Sequence, residues 1–277
     1  MPQRLRLRII GPLAVLACLC AAGSAAGADH TTIGHSVRGR PIFLFESGPP
    51  TASLEVLVIG AIHGNEIAGM RVARRLIATE GEWPPTELHQ IPPPPGGEFD
   101  AVRGGGFGLL VVPTINPDGV AARTRGNARG VDLNRNFPFD WRPLAGGEYS
   151  GPHPLSELET RAIRRLIVRE NPDVTIWFHQ PFGLVDRPEG NPFAARRFAE
   201  LIGLPLVRLP GPYPGSASRW QNHRLPGTTA FVVELPRQVN SLLVEQGTAA
   251  VLELARELAS PALAPSGGWR RSGGLSR

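Results

Sequence analysis

Three short apolar runs in this chain each end at a histidine or a glutamate. In chain order they are residues 54–62 with His63, residues 174–178 with His179, and residues 229–233 with Glu234. Apolar runs of this length are typical of buried strands in an α/β sheet, and the carboxyl ends of neighbouring parallel strands meet at one edge of the sheet. The pattern therefore predicts that segments far apart in sequence present these three polar side chains to one crevice.

Glu66 follows His63 by three residues, which would place the two side chains one helical turn apart. Imidazole nitrogens and carboxylate oxygens are ordinary Zn²⁺ ligands, and a catalytic zinc has three protein ligands and an open position. His179 is our candidate for the third ligand because it ends a second buried strand. Glu234 has no cation beside it in the sequence and is the expected general base. The spacing alone also fits a loop histidine and a solvated glutamate, so a structural role stays open at this point.

Three further motifs lie between the two histidines. They are Asn116-Pro117-Asp118-Gly119, then Thr124-Arg125-Gly126-Asn127, and then Gly130-Val131-Asp132-Leu133-Asn134-Arg135-Asn136-Phe137. Taken in order with His63-x-x-Glu66, a later histidine, a late Glu-Leu pair and a hairpin-like opening at residues 33–42, they resemble the M14 family of zinc carboxypeptidases. The resemblance covers about residues 31–258 and implies the fold and the chemistry of that family.

The resemblance assigns roles around a metal ion. It implies that His63, Glu66 and His179 hold one zinc ion per chain. Asp132 would accept a hydrogen bond from a ligand histidine and so fix the tautomer of that ring. Arg125 matches the arginine that polarises the scissile carbonyl and stabilises the oxyanion.

The same resemblance implies how a substrate is held and cleaved. Asn134 and Arg135 match the pair that binds the terminal carboxylate of the substrate, with the arginine supplying a two-pronged contact. Glu234 matches the base that takes a proton from the attacking water and passes it to the leaving amine. Tyr213 lies near the position of a mobile substrate-binding tyrosine, although its flanking prolines are equally compatible with a rigid turn. Residues 218–223 would form the specificity wall.

The implied activity is that of a zinc metallocarboxypeptidase, a hydrolase that cleaves a peptide or amide bond next to a free carboxylate. The polar wall and the run at residues 215–236 are similar to those of bacterial members that cleave cell-wall peptides between γ-D-glutamate and a diamino acid. Two other interpretations stay open: a zinc deacylase or amidase of small N-acyl amino acids, and a non-catalytic module that binds cell-wall peptides. Serine hydrolysis through Ser36 is disfavoured because Arg38 stands where a nucleophile elbow needs glycine.

Residues 1–28 have the pattern of a secretory signal peptide. Arginines at positions 4, 6 and 8 precede the apolar residues 9–20, a stretch too short to span a bilayer, and small residues follow. We therefore expect a secreted, periplasmic or cell-wall-associated protein without a transmembrane span. An alternative treats residues 15–18 as a lipobox, with Cys18 carrying a lipid anchor. Cys18 and Cys20 are the only cysteines, so the processed chain would contain neither a disulfide nor a thiolate ligand.

The rest of the chain is expected to form one domain. Residues 29–258 suffice for a single α/β domain with a mixed, mostly parallel twisted sheet and helices on both faces, and residues 259–277 have the composition of a disordered tail. The net charge of +5 comes from arginine, but no basic stripe is interleaved with the aromatic residues, which make up 6% of the chain. We therefore expect no nucleic-acid partner, a peptide or cell-wall peptide as substrate, and a monomer.

Local signals predict the elements that carry these motifs. The motif at residues 116–119 predicts a turn, since proline presets φ and glycine accepts positive φ. Ser156 and Glu159 have the spacing of a capping box at the start of a helix, and His223 lies close enough to the late motif to line a pocket. The longer predicted segments are a helix at 66–79, a surface insertion at 83–108, a strand at 109–115, and helices at 192–202 and 241–258.

Overall fold

The computed structural model describes residues 30–78, 106–211 and 213–260, and the strands within them form one eight-stranded sheet. The strands are β1 (His30–His35), β2 (Pro41–Ser47), β3 (Leu54–Ile59), β4 (Phe107–Val112), β5 (Val174–His179), β6 (Leu184–Asp186), β7 (Leu206–Val207) and β8 (Thr229–Glu234). They lie side by side in the order β1-β2-β4-β3-β5-β8-β6-β7.

The centre of the sheet is parallel and its margins are mixed. Strands β4, β3, β5 and β8 run parallel to one another, whereas β2 pairs antiparallel with β1 and β4, and β6 pairs antiparallel with β8. Every residue of β4 and of β5 is buried, as expected for parallel strands covered on both faces. The predicted mixed, mostly parallel sheet is confirmed.

Six helices cover the described part of the sheet. They are α1 (Ala68–Ile77), α2 (Pro117–Ala122), α3 (Leu158–Glu170), α4 (Phe193–Ile202), α5 (Ala217–Arg224) and α6 (Ser241–Ala259), with short 3-10 helices at Leu133–Arg135 and Gly146–Glu148. Among the described helices, none has both the length and the apolar composition needed to cross a bilayer.

The core is divided into two layers by the sheet. Alternate residues of β3 enter opposite layers: Val56 and Val58 pack with α1, α4 and α6, whereas Leu57 and Ile59 pack with α3 and α5. Each fully buried side chain of this kind stabilises the fold by about 1.5–3 kcal/mol relative to an exposed one. Helices therefore lie on both faces of the sheet, as predicted.

The helix predictions at residues 192–202 and 241–258 agree with α4 and α6. The α4 helix begins after Pro192 and ends at Gly203, whose φ of 75° is one that glycine adopts without strain. The helix predicted from residue 66 begins later, at Ala68, because its first free backbone N–H donates to the distant Gln180 side chain at 3.0 Å. Glu66 therefore precedes the helix.

Three local predictions were wrong in detail. The strand predicted at residues 109–115 is β4, which begins at Phe107, so the insertion ends earlier than expected. The predicted turn at residues 116–119 is instead the start of α2, where the Asn116 side chain accepts a hydrogen bond from the Gly119 N–H. The capping box at Ser156 does not form: α3 has no side-chain cap, and the Ser156 hydroxyl donates to Glu157.

Several sequence predictions lie outside the described residues. They include the signal peptide, Cys18, residues 83–105 of the predicted insertion, and the tail beyond residue 260.

Candidate active site

The carboxyl ends of β3, β5 and β8 lie next to one another because β5 pairs with both of the other strands. His179 and Glu234 end their strands as directly paired residues in the parallel register. His63 follows β3 after a short connection. Three polar residues separated by up to 171 positions in sequence thus reach one edge of the sheet, as the apolar runs predicted.

His63, Glu66 and His179 lie together as a group that could hold a metal ion. One candidate ligand atom from each residue lies within 4.8 Å of the others, and all three residues are buried. The Glu66 carboxylate lies between the imidazoles, with Oε1 2.9 Å from His63 Nδ1 and Oε2 2.9 Å from His179 Nδ1. The two ring nitrogens and the carboxylate therefore lie close enough together to share one metal ion.

The hydrogen bonds of His63 fit a metal ligand. Its Nε2 atom lies 3.0 Å from Asp132 Oδ1, which leaves Nδ1 as the free ring nitrogen facing Glu66. Although that Nδ1 is fully buried, it forms no hydrogen bond within the described part of the chain. The short contact between His63 Nδ1 and Glu66 Oε1 lacks hydrogen-bond geometry, as expected for two atoms that bind the same ion. The donor set of two imidazoles and one carboxylate suits zinc.

Close backbone packing shapes the turn that carries His63 and Glu66. The Glu66 N–H donates to the His63 carbonyl in a tight turn outside the helix, so the predicted helical spacing of this pair is corrected to a turn spacing. A Cβ on Gly64 would lie 1.9 Å from the carbonyl carbon of Gly119, so only glycine fits where this turn meets α2. The motif at residues 116–119 therefore serves as a support for the metal-site turn.

Asn116 connects this turn to the loop that carries Arg125. Its side-chain amide lies 3.2 Å from the Ile62 carbonyl and 3.3 Å from the Arg125 carbonyl, while its oxygen caps α2. Arg125 then places its own side chain against the site, with Nη1 3.0 Å from Glu66 Oε1 and Nε 2.9 Å from Asp132 Oδ2. One third of this side chain stays exposed, so its remaining N–H groups face the cavity.

Glu234 is a buried carboxyl with one unsatisfied oxygen. It is 7% exposed, and its Oε2 atom has no hydrogen-bond partner within the described part of the chain. Burial, together with the negative charge of Glu66, raises the pKa of this carboxyl to about 7. A group with such a pKa can both accept and return a proton near neutrality.

Asn134 and Arg135 lie on the 3-10 helix after Asp132, which caps it by accepting from the Asn134 N–H at 2.8 Å. The Asn134 amide nitrogen is 3.5 Å from His179 Nε2. The Arg135 side chain is 5% exposed, and its Nη2 donates to the exposed Glu148 at 2.6 Å. Its guanidinium also lies over the Tyr213 ring, 5.4 Å from the centroid.

These residues border one cavity of about 300 Å³. Its lining contains His63, Glu66, His179, Arg125, Asn134, Arg135, Tyr213 and Glu234, and Asp132 supports it from behind. The structure therefore brings every predicted site residue to one place. Of the predicted specificity wall, Ser218 and Arg219 line this cavity, whereas Trp220 and Gln221 are buried in the core.

The cavity also contains residues that sequence reasoning missed: Glu148, Gln180, Phe182 and Asp186. Phe182, in the loop after His179, is 63% exposed, which is unusual for an aromatic residue. Asp186 had a weak signal, because it ends a short apolar segment as the other site residues do. Glu148 lies in a glycine-rich loop and had none.

One minor prediction is corrected by the structure, and another agrees with it. His223 does not line the cavity but stacks on Phe139, with ring centroids 4.2 Å apart. Ser36, the disfavoured nucleophile, lies in the β1–β2 turn, where its hydroxyl accepts from the Arg40 N–H.

Comparisons with known proteins agree with this geometry. The family model described as zinc carboxypeptidase matches residues 106–185. Murein peptide amidase A of Escherichia coli is 30% identical over 210 residues, which cover 70% of this chain and 76% of that protein. Murein peptide amidase A of Vibrio campbellii is 29% identical over 243 residues, covering 81% of this chain and 86% of that protein.

Solved structures show the same architecture. The murein-tripeptide amidase from Escherichia coli O157 superposes with a TM-score of 0.60 at 25% identity, covering 83% of this chain and 92% of that one. Carboxypeptidase A from Helicoverpa armigera gives a TM-score of 0.61 at 17% identity over 83% of this chain and 68% of that one, which supports the fold alone. The chain belongs to the M14 family of zinc carboxypeptidases and is a metallopeptidase, a hydrolase whose cavity brings His63, Glu66 and His179 together with Glu234.

Proposed function

We propose that this metallopeptidase is zinc-dependent and hydrolyses the amide bond next to the free carboxylate end of a cell-wall peptide. The relatives named murein peptide amidase support this substrate class. The observation that carries the proposal is the buried Glu234 carboxyl, whose Oε2 has no partner within the described residues, beside a group of three potential metal ligands.

His63, Glu66 and His179 would hold the zinc ion. When bound, zinc would polarise the scissile carbonyl and lower the pKa of a water molecule. Asp132 keeps the His63 Nδ1 atom directed at the ligand position, because it occupies the opposite ring nitrogen. Its burial keeps water from competing for that hydrogen bond.

Glu234 would transfer the protons. Its free Oε2 takes a proton from the attacking water and later gives it to the departing nitrogen. Arg125 would donate to the oxygen on which negative charge develops, while its contacts with Glu66 and Asp132 keep the guanidinium in position.

The substrate's terminal carboxylate would bind Arg135, with Asn134 beside it. A nearly buried guanidinium favours a carboxylate strongly, because a charge-assisted hydrogen bond in a desolvated site is stronger than one in water. The Arg135 guanidinium donates to the exposed Glu148 side chain, which a substrate carboxylate would displace. Tyr213, over whose ring the Arg135 guanidinium lies, would pack against the bound end.

The test is hydrolysis of the tripeptide L-alanyl-γ-D-glutamyl-meso-diaminopimelate by the purified protein, followed by mass spectrometry. We expect release of the free diamino acid, loss of release after chelation, and recovery on adding zinc. Small N-acyl amino acids assayed in parallel provide the control. Faster hydrolysis of those compounds would instead identify a deacylase, and release that persists after complete metal removal would contradict zinc dependence.

We also propose that the protein is exported, from the pattern at residues 1–28. Expression in a bacterial host with fractionation should place the processed chain in the periplasm or medium, with Gly27 or Asp29 as its first residue. Detection of a lipid on an amino-terminal Cys18 would show instead that the exported protein is anchored to a membrane. Unprocessed protein in the cytoplasm would refute export.

A further inference from the structure

Gln180 follows β5 directly and joins two other segments, each of which carries a residue of the candidate site. Its backbone N–H donates to Glu66 Oε2 at 3.3 Å. Its side-chain oxygen accepts from the Ala68 N–H at 3.0 Å, and its side-chain nitrogen donates to the Pro236 carbonyl at 3.1 Å. Ala68 lies two residues after Glu66, and Pro236 lies two residues after Glu234. One side chain therefore connects the turn of a candidate metal ligand to the segment after the proposed base.

The contact with Ala68 fixes where α1 begins and so where Glu66 lies. The first N–H groups of a helix need partners from outside the helix, and the residue before α1 supplies no side-chain cap. The Gln180 oxygen takes that place. The start of α1 also packs closely on β5, because a Cβ on Gly69 would lie 2.2 Å from the Phe178 Cβ atom. The end of β5 therefore holds the turn from which the Glu66 carboxylate projects.

The contact with Pro236 acts on the segment that follows the proposed base. β8 ends at Glu234, and the Leu235 N–H still donates to the last carbonyl of β5 at 2.8 Å. Beyond this point the chain leaves the sheet, and the Pro236 carbonyl accepts from Gln180. The Arg237 carbonyl lies 3.4 Å from the same side-chain nitrogen. Gln180 thus holds the chain immediately after the base against the end of β5.

The side-chain amide of Gln180 has little hydrogen-bonding capacity left for a substrate, although the residue lines the cavity. A primary amide has two N–H donors and one oxygen acceptor. Its nitrogen has two main-chain carbonyls as partners, those of Pro236 and Arg237, and its oxygen accepts from the Ala68 N–H. Because the amide is committed to the protein itself, its contribution to the reaction would be made through other residues.

The separation between the metal ion and the base decides whether a proton can be transferred. A general base must lie within about 2.6–3.2 Å of the atom whose proton it takes, and a misplacement of about 1 Å can lower the rate about 100-fold. Glu66 lies before α1, whereas Glu234 ends β8. Their separation therefore depends on the contacts that join these two elements.

We propose that Gln180 is a positioning residue that fixes the Glu66 turn relative to the segment after Glu234, and so holds the metal ion and the base at the separation that the reaction needs. This inference rests on the proposed function, because it takes Glu66 as a metal ligand and Glu234 as the base. It assigns Gln180 a role in metal affinity and in turnover but none in substrate binding.

Gln180→Met tests the proposal, because methionine has nearly the same length as glutamine but lacks the N–H donors and the strong acceptor. Gln221→Met is the matched control. Gln221 is fully buried, its Nε2 donates to Thr175 Oγ1 at 2.7 Å, and it does not line the cavity. Urea unfolding of both variants measures the general destabilisation that each change causes. Gln180→Asn, whose amide is one methylene too short to reach both partners, takes the same measurements if the methionine variant does not fold.

Zinc affinity, measured by competition with a chelator, should fall about 10-fold or more in Gln180→Met, since the loss of a partner that orients a ligand usually costs about 10- to 100-fold. It should stay within about twofold of wild type in Gln221→Met. An unchanged zinc affinity in Gln180→Met would overturn the inference, whatever substrate the enzyme cleaves.

Turnover of the cell-wall tripeptide at saturating zinc tests the connection to the base. We expect Gln180→Met to lower kcat about 10- to 100-fold with KM within about twofold. In a Glu234→Gln background the same change should lower the residual kcat no more than about twofold, because the position of a base that has been removed no longer affects the rate.

Equal losses of kcat in the two backgrounds, or a raised KM with an unchanged kcat, would overturn the inference while the proposed function stands. A wild-type enzyme that cleaves no such peptide would refute the proposed function instead, and the zinc competition would then decide the inference by itself.

Discussion

The two ends of the cavity are built from different kinds of structure. At the catalytic end, His63, Glu66, His179 and Glu234 are buried and lie at or just after the ends of central strands. At the other end, where we propose that the substrate is recognised and which we call the recognition end, the lining residues come from short helices, loops and the strand β6 near the margin of the sheet, and several are half-exposed; they are Arg135, Glu148, Asp186, Arg219 and Tyr213.

Under the proposed function, this difference separates the chemistry from substrate choice. Side chains at the ends of packed parallel strands have few alternative positions, so ligand geometry is held by the core itself. Loop residues can change or move without disturbing that core. Glu148 on Arg135 illustrates the second case, since its exposed side chain can leave when a substrate arrives.

Substituting the proposed base should produce the largest effect. We expect Glu234→Gln to lower kcat by about 100- to 10,000-fold, because an amide cannot accept a proton from water and return it to the leaving nitrogen. Zinc content, measured by inductively coupled plasma mass spectrometry, should stay at the wild-type value. Activity within a few-fold of wild type would show that the catalytic end does not depend on this carboxyl.

The same substitution should change how the metal-free protein responds to pH. Since the folded pKa of Glu234 is raised from 4.5 to about 7, its stabilising contribution is complete below pH 4.5, decreases as pH rises, and is lost above pH 7. Relative to Glu234→Gln, the wild-type free energy of unfolding should therefore fall by about 3 kcal/mol across this window. Urea unfolding of both chelated proteins at several pH values measures the difference. A difference that is constant with pH would contradict the raised pKa.

At the recognition end, Arg135→Lys should raise KM about tenfold for a peptide with a free terminal carboxylate, because lysine keeps the charge but loses the two-pronged contact. The same peptide with a terminal amide should be affected much less. Glu148→Gln is the control, since it removes the competing carboxylate and should leave KM unchanged or lower. A decrease in kcat with an unchanged KM would show that Arg135 acts in catalysis and not in substrate recognition.

A change in metal affinity is expected from the residue behind the metal site. Asp132→Asn should weaken zinc binding about 10- to 100-fold in competition with a chelator, since Asp132 orients His63. Asp173→Asn is the control, because Asp173 is also buried but accepts from the Glu55 N–H near the amino-terminal ends of β3 and β5, at the other end of the strands from the metal site. Equal losses in both variants would indicate general destabilisation rather than support of the metal site.

Sequence patterns predicted more of the catalytic end than of the recognition end. His179 and Glu234 were found because each closes an apolar run, and a strand together with its end is encoded locally. Arg125, Asp132, Asn134 and Arg135 came only from the family resemblance, since nothing in their spacing alone distinguishes them from a solvated loop. Asp186 and Glu148 were missed, because their positions in the cavity depend on how segments distant in sequence meet.

The order of apolar runs and closing polar residues by itself determined that this chain forms a parallel-centred sheet with His63, His179 and Glu234 at one edge. Only the tertiary structure decided that Gln180 caps α1, that one Glu234 oxygen has no partner among the described residues, and that Asp186 shares a face with Glu234. The physical reason is the range of the forces involved. Hydrophobic periodicity is a property of residues close together in sequence, so it predicts single strands and helices. Burial and hydrogen-bond pairing depend on contacts between residues that packing brings together from distant parts of the chain.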